Sequence, residues 1–186
     1  MILFINACVR EQSRTKRLAD RFLSELTGKV EEVRLSDISF PVADENFLRI
    51  RDELIAAGAF EHPMFDLARQ FAAADQIVIA APYWDLSFPA ALKQYFEQIN
   101  VVGVTFVYTP EGIPKGLCRA TKLTYITTAG GMYVPEVFGF GYVQALAQGY
   151  YGIEDVEMIR AVGLDLDGAD VEEIMQNKVE RWPGLS

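Results

Sequence analysis

The feature that most constrains this chain is an alternation: five short apolar runs are separated by segments whose apolar residues recur at helical spacing. The first run is "MILFIN" (1–6), and from Ser13 the pattern turns helical, with Leu18, Phe22 and Leu26 on one face and Gly28 closing it. A second strand is predicted over 30–35, nearer an edge because charges interleave it. A long crossover, 36–75, holds a loop at Pro41 and helices predicted over 45–57 and 64–74. "QIVIAAP" (76–82) is the clearest buried strand, and Phe88, Leu92, Phe96 and Ile99 mark the helix after it. "TKLTYITTAGG" (121–131) starts as a strand and ends as a glycine turn, and "EDVEMIRAVGL" (154–164) supplies the fifth strand. Between these two, 136–150 reads as a helix interrupted by Gly139 and Gly141, and a terminal helix carries Val171, Ile174, Met175, Lys178 and Val179.

Strand alternating with helix, without repeats or linker, predicts one domain over 1–186: an α/β, doubly wound, five-stranded parallel sheet with helices on both faces. Such sheets bind ligands beyond the carboxyl ends of their strands, where the strand order reverses. The loops to read are therefore 7–14, 82–88 and 127–133.

Composition narrows the function. With 186 residues the chain buries enough surface to need no disulfide or metal staple. Its two cysteines, Cys8 and Cys118, form no CxxC pair, and with His62 as its single histidine a Cys/His zinc site lacks ligands. These features fit a reducing, cytoplasmic compartment. The start "MILFINACVREQ" reads as a strand rather than a signal peptide, and no apolar run is long enough to cross a bilayer. A net charge of −9 argues against nucleic acid and anionic membranes as partners.

One stretch runs against that charge. "ACVREQSRTKRLAD" places Ser13 as an N-cap and Arg14, Lys16 and Arg17 in the first turn of a helix, where the macrodipole favours acids. A bound anion would resolve the conflict, because hydroxyls at Ser13 and Thr15, free N–H groups and an arginine suit a phosphate. Solvated basic side chains paired with Glu11, Asp20 or Glu25 would resolve it too. No Gly-rich P-loop is present, which disfavours a nucleoside triphosphate.

After the third strand, "PYWDLSFPAALKQYF" sets Tyr83, Trp84 and Phe88 at the mouth of the sheet. They suit a flat ring system there, or serve as core residues capping the sheet. "TTAGG" (127–131) gives hydroxyls and two glycines, either for close backbone approach to a ligand or for a tight turn. The segment 101–118 is long enough to suggest a functional loop, an exposed ribbon carrying Phe106 and Tyr108. With Tyr142, Tyr150 and Tyr151 it suggests a subunit interface. "GFGYVQ" (139–144) lacks a dinucleotide fingerprint's third glycine, His62 reads as a surface loop residue, and Cys8 reads as a packing residue with no histidine to activate it.

"IVIAAPYWDLSFPAALKQYFEQINVVGVTFVYTPEGIPKGL" followed by "ITTAGG" resembles the flavodoxin-like NAD(P)H-dependent oxidoreductases, the group of FMN-dependent NADH azoreductases and NAD(P)H quinone dehydrogenases. The likeness is dense over 76–131 and supported by 1–20. It implies a flavodoxin-like fold, a homodimer with active sites at its interface, noncovalent FMN, NADH or NADPH as donor, and a small-molecule acceptor such as a quinone or azo compound. By the resemblance, Ser13, Arg14 and Thr15 hold the FMN phosphate. Pro82, Tyr83, Trp84, Asp85 and Leu86 surround the isoalloxazine, and Thr127, Thr128, Ala129, Gly130 and Gly131 form its other edge. Phe106 and Tyr108 match the ribbon that reaches over the partner's flavin, and with Tyr133 they are the expected substrate-pocket residues. Two positions depart from the family pattern: Met132-Tyr133 stands where a histidine or similar polar residue is frequent, and Asp85 where an uncharged amide is common.

The resemblance implies a two-electron, ping-pong exchange carried by the flavin, with no protein acid or base. A flavodoxin-type electron carrier or a redox-sensing protein would use the same FMN site, but the aromatic ribbon would cover the ring. A receiver-type signalling module would need acids at the ends of the first and third strands, where the chain has Asn6-Ala7-Cys8 and Ala80-Ala81-Pro82.

Overall fold

A computed structural model describes residues 1–179 and shows how the alternation is used. Five strands, β1 (Ile2–Asn6), β2 (Val30–Arg34), β3 (Gln76–Ala80), β6 (Lys122–Thr128) and β7 (Asp155–Ala161), form one parallel sheet in the order β2-β1-β3-β6-β7. The register is continuous across it: Phe4 faces Glu32 on one side and Val78 on the other, and Ile79 faces Tyr125. The order reverses between β1 and β3, the switch point at which such folds open a crevice. The expected single domain extends to 186, and its last seven residues lie outside the described ones.

Period-two alternation divides the core. Ile2 and Phe4 of β1, Val78 and Ala80 of β3 and Ile126 of β6 pack under α1 (Arg14–Glu25) and α6 (Val171–Val179) through Leu18, Phe22 and Met175. Leu3, Ile5, Ile77, Ile79 and Leu123 face the other way, against α3 (Asp66–Ala73), α4 (Ala90–Ile99) and α5 (Phe140–Leu146), whose Phe71, Leu92, Phe96 and Val143 are buried. The helix α2 (Glu45–Ala56) buries no residue fully and contributes only Leu54 and Ile55 to that layer. β2 is the exposed edge, its Glu31 and Glu32 interleaved with Val33 as an edge strand requires.

Several boundaries move from their sequence expectation for local reasons. The second strand ends at Arg34 because Leu35 starts a 3-10 turn, and the third helix starts at Asp66 because Pro63–Phe65 is a 3-10 turn. The segment 136–150 divides into a 3-10 turn over Glu136–Phe138, the helix α5, and a π-turn over Ala147–Tyr151. Gly139 breaks it and Gly141 does not.

The ribbon is an antiparallel pair, β4 (Phe106–Tyr108) and β5 (Pro114–Gly116), set apart from the main sheet. It leans on the π-turn so closely that a Cβ at Gly116 would run into the Tyr151 carbonyl. Its aromatics are unequal: Phe106 is buried and stacked on Tyr150 at 4.5 Å between centroids, whereas Tyr108 is 51% exposed. Tyr142 packs on Phe88 and Phe96, and buried Tyr151 donates to Asn100 Oδ1 at 2.6 Å. The aromatic surplus that suggested an interface is thus largely absorbed by the chain's own core, with Tyr108 the exception. Among the described residues no helix is long and apolar enough to cross a membrane.

Candidate functional site

The loops after β1, β3, β6 and β7 converge on a cleft of about 610 Å³, the size of a small-molecule site. It lies at the switch point and is bounded by Val9, Arg10, Gln12 to Thr15 and Arg17, by Pro82 to Trp84 and Thr128 to Gly130, and by Leu164 with Asp165. Nine of the thirteen residues expected to hold a cofactor are brought together here: Ser13, Arg14, Thr15, Pro82, Tyr83, Trp84, Thr128, Ala129 and Gly130.

One end of the cleft is the start of α1. Ser13 has extended backbone and its Oγ accepts from Lys16 N at 3.2 Å, a capped start with no acidic residue in the first turn. The amides of Arg14 and Thr15 precede the first intrahelical bond and so point out of the helix end. Thr15 is buried and shares a hydrogen bond of 2.6 Å with the Thr128 hydroxyl, which ties the helix start to the end of β6. The basic residues are only partly neutralised. Arg14 pairs with Asp165 at 2.6 Å, Lys16 with Asp20, and Arg17 and Arg21 with Glu172, while Arg10 makes no ion pair with another described residue. Of the surface partners named from the sequence, only Asp20 is used.

At the other end is a two-residue hairpin. Trp84 and Ser87 exchange backbone hydrogen bonds of 3.1 and 2.8 Å, and Asp85 and Leu86 between them have φ of 49° and 68°. This is the twist of a type I′ turn, which normally takes Asn-Gly or Gly-Gly. Two successive non-glycine residues in the left-handed region store strain of the kind that clusters at functional sites. Ser87 Oγ donates to Phe138 O at 2.7 Å and so ties this turn to the segment before α5. Trp84 lines the cleft at 38% exposure, whereas Phe88 turns inward onto Phe96; the two aromatics divide between the ring-holding and core roles.

The remaining expected residues fall elsewhere. Asp85 and Leu86 form the turn without lining the cleft, and Gly131 lies just beyond it. Strand alternation sends Thr127 to the opposite face of β6 from Thr128, where its hydroxyl is buried without a partner beside Tyr83, Tyr125 and Pro135. Neither Gly130 nor Gly131 has positive φ. Gly130 instead permits a close approach, because a Cβ there would strike the Asp165 carboxylate. Phe106, Tyr108 and Tyr133 line no part of the cleft; Phe106 is buried under the ribbon, and Tyr133 is 78% exposed.

Four amides, of Asp85, Leu86, Gly130 and Gly131, have no partner among the described residues, whereas Trp84 N–H goes to Ser87 O and Ala129 N–H to Ala161 O. Tyr83 and Cys8 are not poised for proton or thiolate chemistry: burial pushes the Tyr83 phenol and the Cys8 thiol upward. His62 is exposed and caps the 3-10 turn, accepting from Met64 N at 3.2 Å.

Sequence reading missed Val9, Gln12, Leu164 and Asp165 as lining residues, and noted Arg10 and Arg17 only as part of a basic stretch. The last two missed residues had a signal. They follow directly from β7, and the rule that ligands sit beyond strand ends applies to that strand as well.

Residues 1–184 match the flavodoxin-like fold family. An FMN-dependent NADH:quinone oxidoreductase of Clostridium beijerinckii is 34% identical over 189 residues, spanning 97% of this chain and 94% of the relative. FMN-dependent NADH:quinone oxidoreductase 2 of Clostridium acetobutylicum is 36% identical over 193 residues, with the same coverage. An azoreductase structure from Bacillus anthracis superposes with a TM-score of 0.82 at 27% identity, over 96% of this chain and 94% of that one. The chain belongs to the flavodoxin-like family and, within it, stands with the FMN-dependent NADH:quinone oxidoreductases.

Proposed function

We propose that this chain is an FMN-dependent NAD(P)H oxidoreductase that reduces quinones, azo compounds or similar electrophilic acceptors, working as a cytoplasmic homodimer in which residues 1–186 form one flavodoxin-like domain. The observation that carries the reading is the cleft itself. A capped, cation-rich helix start stands opposite a flat aromatic turn at the switch point of the sheet. The donor chemistry fits a flavin mononucleotide, with hydroxyls, outward-pointing amides and three arginines against one carboxylate for a phosphate monoester, and a tryptophan for a ring.

Ser13, Arg14 and Thr15 would hold the phosphate. Tyr83 and Trp84 would flank the ring, while the amides of Asp85, Leu86, Gly130 and Gly131 offer hydrogen bonds to its polar edge and to negative charge developing there. Bound FMN supplies two-electron hydride chemistry, taken from a reduced nicotinamide and passed to the acceptor in ping-pong order. The protein's own part is to bind, orient and exclude water.

The dimer finds support in the surface beside the cleft, where Leu86, Met132, Tyr133, Val137 and Phe138 are exposed and the two segments are joined through Ser87. Tyr108, Tyr133 and the Phe106 ribbon would then complete the substrate pocket across the interface.

The test is spectroscopic. Purified protein is loaded with FMN and treated anaerobically with NADH, then with NADPH. Bleaching of the bound flavin that is reversed by a quinone is the expected result, and the faster nucleotide is the donor. Flavin that binds without bleaching points to an electron carrier or sensor, and failure to bind FMN rejects the assignment.

A further inference from the structure

One ion pair crosses the cleft from its first loop to its last. Arg14 Nη1 lies 2.6 Å from Asp165 Oδ1, joining the start of α1 to the loop after β7. Asp165 is the only carboxylate among the residues lining the cleft, where it stands with Arg10, Arg14 and Arg17. Its backbone is held in place: Asp165 N donates to Gly130 O at 3.0 Å, Leu164 N to Ala129 O at 3.2 Å and Gly163 N to Gly131 O at 3.0 Å. The carboxylate itself rests on Gly130, at the one position where a side chain would expel it. A negative group is thus held inside a cleft whose other charges invite an anion, and it occupies an arginine that the anion needs.

We propose that Arg14 and Asp165 form a latch. Asp165 engages the Arg14 guanidinium until a phosphate monoester displaces it, so this carboxylate sets how strongly the cleft prefers a phosphorylated ligand over its unphosphorylated analogue. The inference rests on the flavin reading above and goes beyond it by naming a residue that weakens the phosphate contact. Both side chains are partly exposed, at 39% and 68%, so the expected effect is modest and salt-sensitive.

The experiment measures dissociation constants for FMN and for riboflavin, by quenching of flavin fluorescence at low ionic strength, on the wild-type protein, D165N, R14Q and the double variant. Asn keeps the size and backbone bonds of Asp165, and a thermal midpoint confirms folding. D165N is expected to bind FMN about threefold more tightly and riboflavin unchanged, with the gain fading as salt is added and absent in the R14Q background.

Three results would overturn the latch. If D165N weakens both flavins equally, Asp165 contacts the part they share or supports the loop. Weakening of FMN alone means that Asp165 positions Arg14 productively. A full gain in the R14Q background means direct repulsion rather than competition for the arginine. If the wild-type protein binds neither flavin, the flavin reading fails separately. The latch is then decided with inorganic phosphate, whose thermal stabilisation must be larger in D165N than in wild type for the proposal to stand.

Discussion

At the start of α1, short side chains do the shaping: Ser13 caps, Thr15 bonds Thr128 at 2.6 Å, and Arg14 and Arg17 pair with carboxylates from the far end of the chain. At the 84–87 turn, the backbone does it. Asp85 and Leu86 are held left-handed, and Trp84 and Leu86 stay exposed. The first end is made of charge and hydrogen bonds and is selective for what it faces. The second is made of strained backbone and apolar surface, selective for flat shape rather than charge. Changes at the first end should therefore separate FMN from riboflavin, and changes at the second should not.

Ser13→Asp is the strongest way to break that contrast. Aspartate caps a helix as well as serine and suits its positive end, so thermal stability should hold. A carboxylate beside a phosphate dianion costs several kcal/mol at short range, so FMN affinity should fall at least about 100-fold. Riboflavin affinity should move far less, and parallel titrations of the two ligands decide it. Trp84→Ala is the complementary change. Losing one stacked face should weaken both flavins by a common factor of about ten. A factor that differs between them would mean that the two ends of the cleft are not independent.

The same contrast explains what could be read from the sequence. The parallel sheet and its loops follow from alternation, and the basic helix start was visible because it violates the macrodipole preference. The turn was found only as an aromatic cluster. Nothing in "WDLS" announces a type I′ turn, since Asp-Leu is a poor pair for positive φ and tertiary context imposes the conformation. Asp165 was missed because the chain returns to the cleft after β7 through a pairing of 129–131 with 163–165 that joins residues over 30 positions apart. Thr127 and Thr128 look equivalent as letters, and only the strand's phase sends one to α1 and the other to the opposite layer.

Strain at the turn gives a smaller effect of opposite sign. Leu86 is 45% exposed with φ of 68°, so Leu86→Gly gives up little packing and relieves a left-handed penalty. A gain of about 1 kcal/mol is expected, or about 2–4 °C in Tm for a chain of this size. Leu86→Val should lower Tm, since a β-branched side chain tolerates this conformation worse. If both variants melted like wild type, the turn would store no strain and the contrast between the two ends would lose its second half.

The smallest effect lies behind the charged end, where Arg17 and Arg21 reach Glu172 and so tie α1 to α6. The Arg17 hydrogen bond holds the Glu172 carboxyl below its ordinary value of 4.5. A carboxylate depressed in the folded state stabilises the fold above its unfolded pKa and loses that contribution as pH falls through the folded value. Wild type should therefore melt above Glu172→Gln at neutral pH, by a margin kept small by the exposure of the pair, and the two curves should converge as pH falls below 4.5 and through the lowered folded value. Amide protection in α6, corrected for the intrinsic pH dependence of exchange, should fall over the same window in wild type and stay flat in the variant. Flavin affinity should not follow this titration, because Glu172 does not itself line the cleft, although its partner Arg17 does, and Asp165 alone supplies a carboxylate there. Were FMN binding to change with the Glu172 titration, the charged end would be one network rather than a binding surface with a separate structural brace.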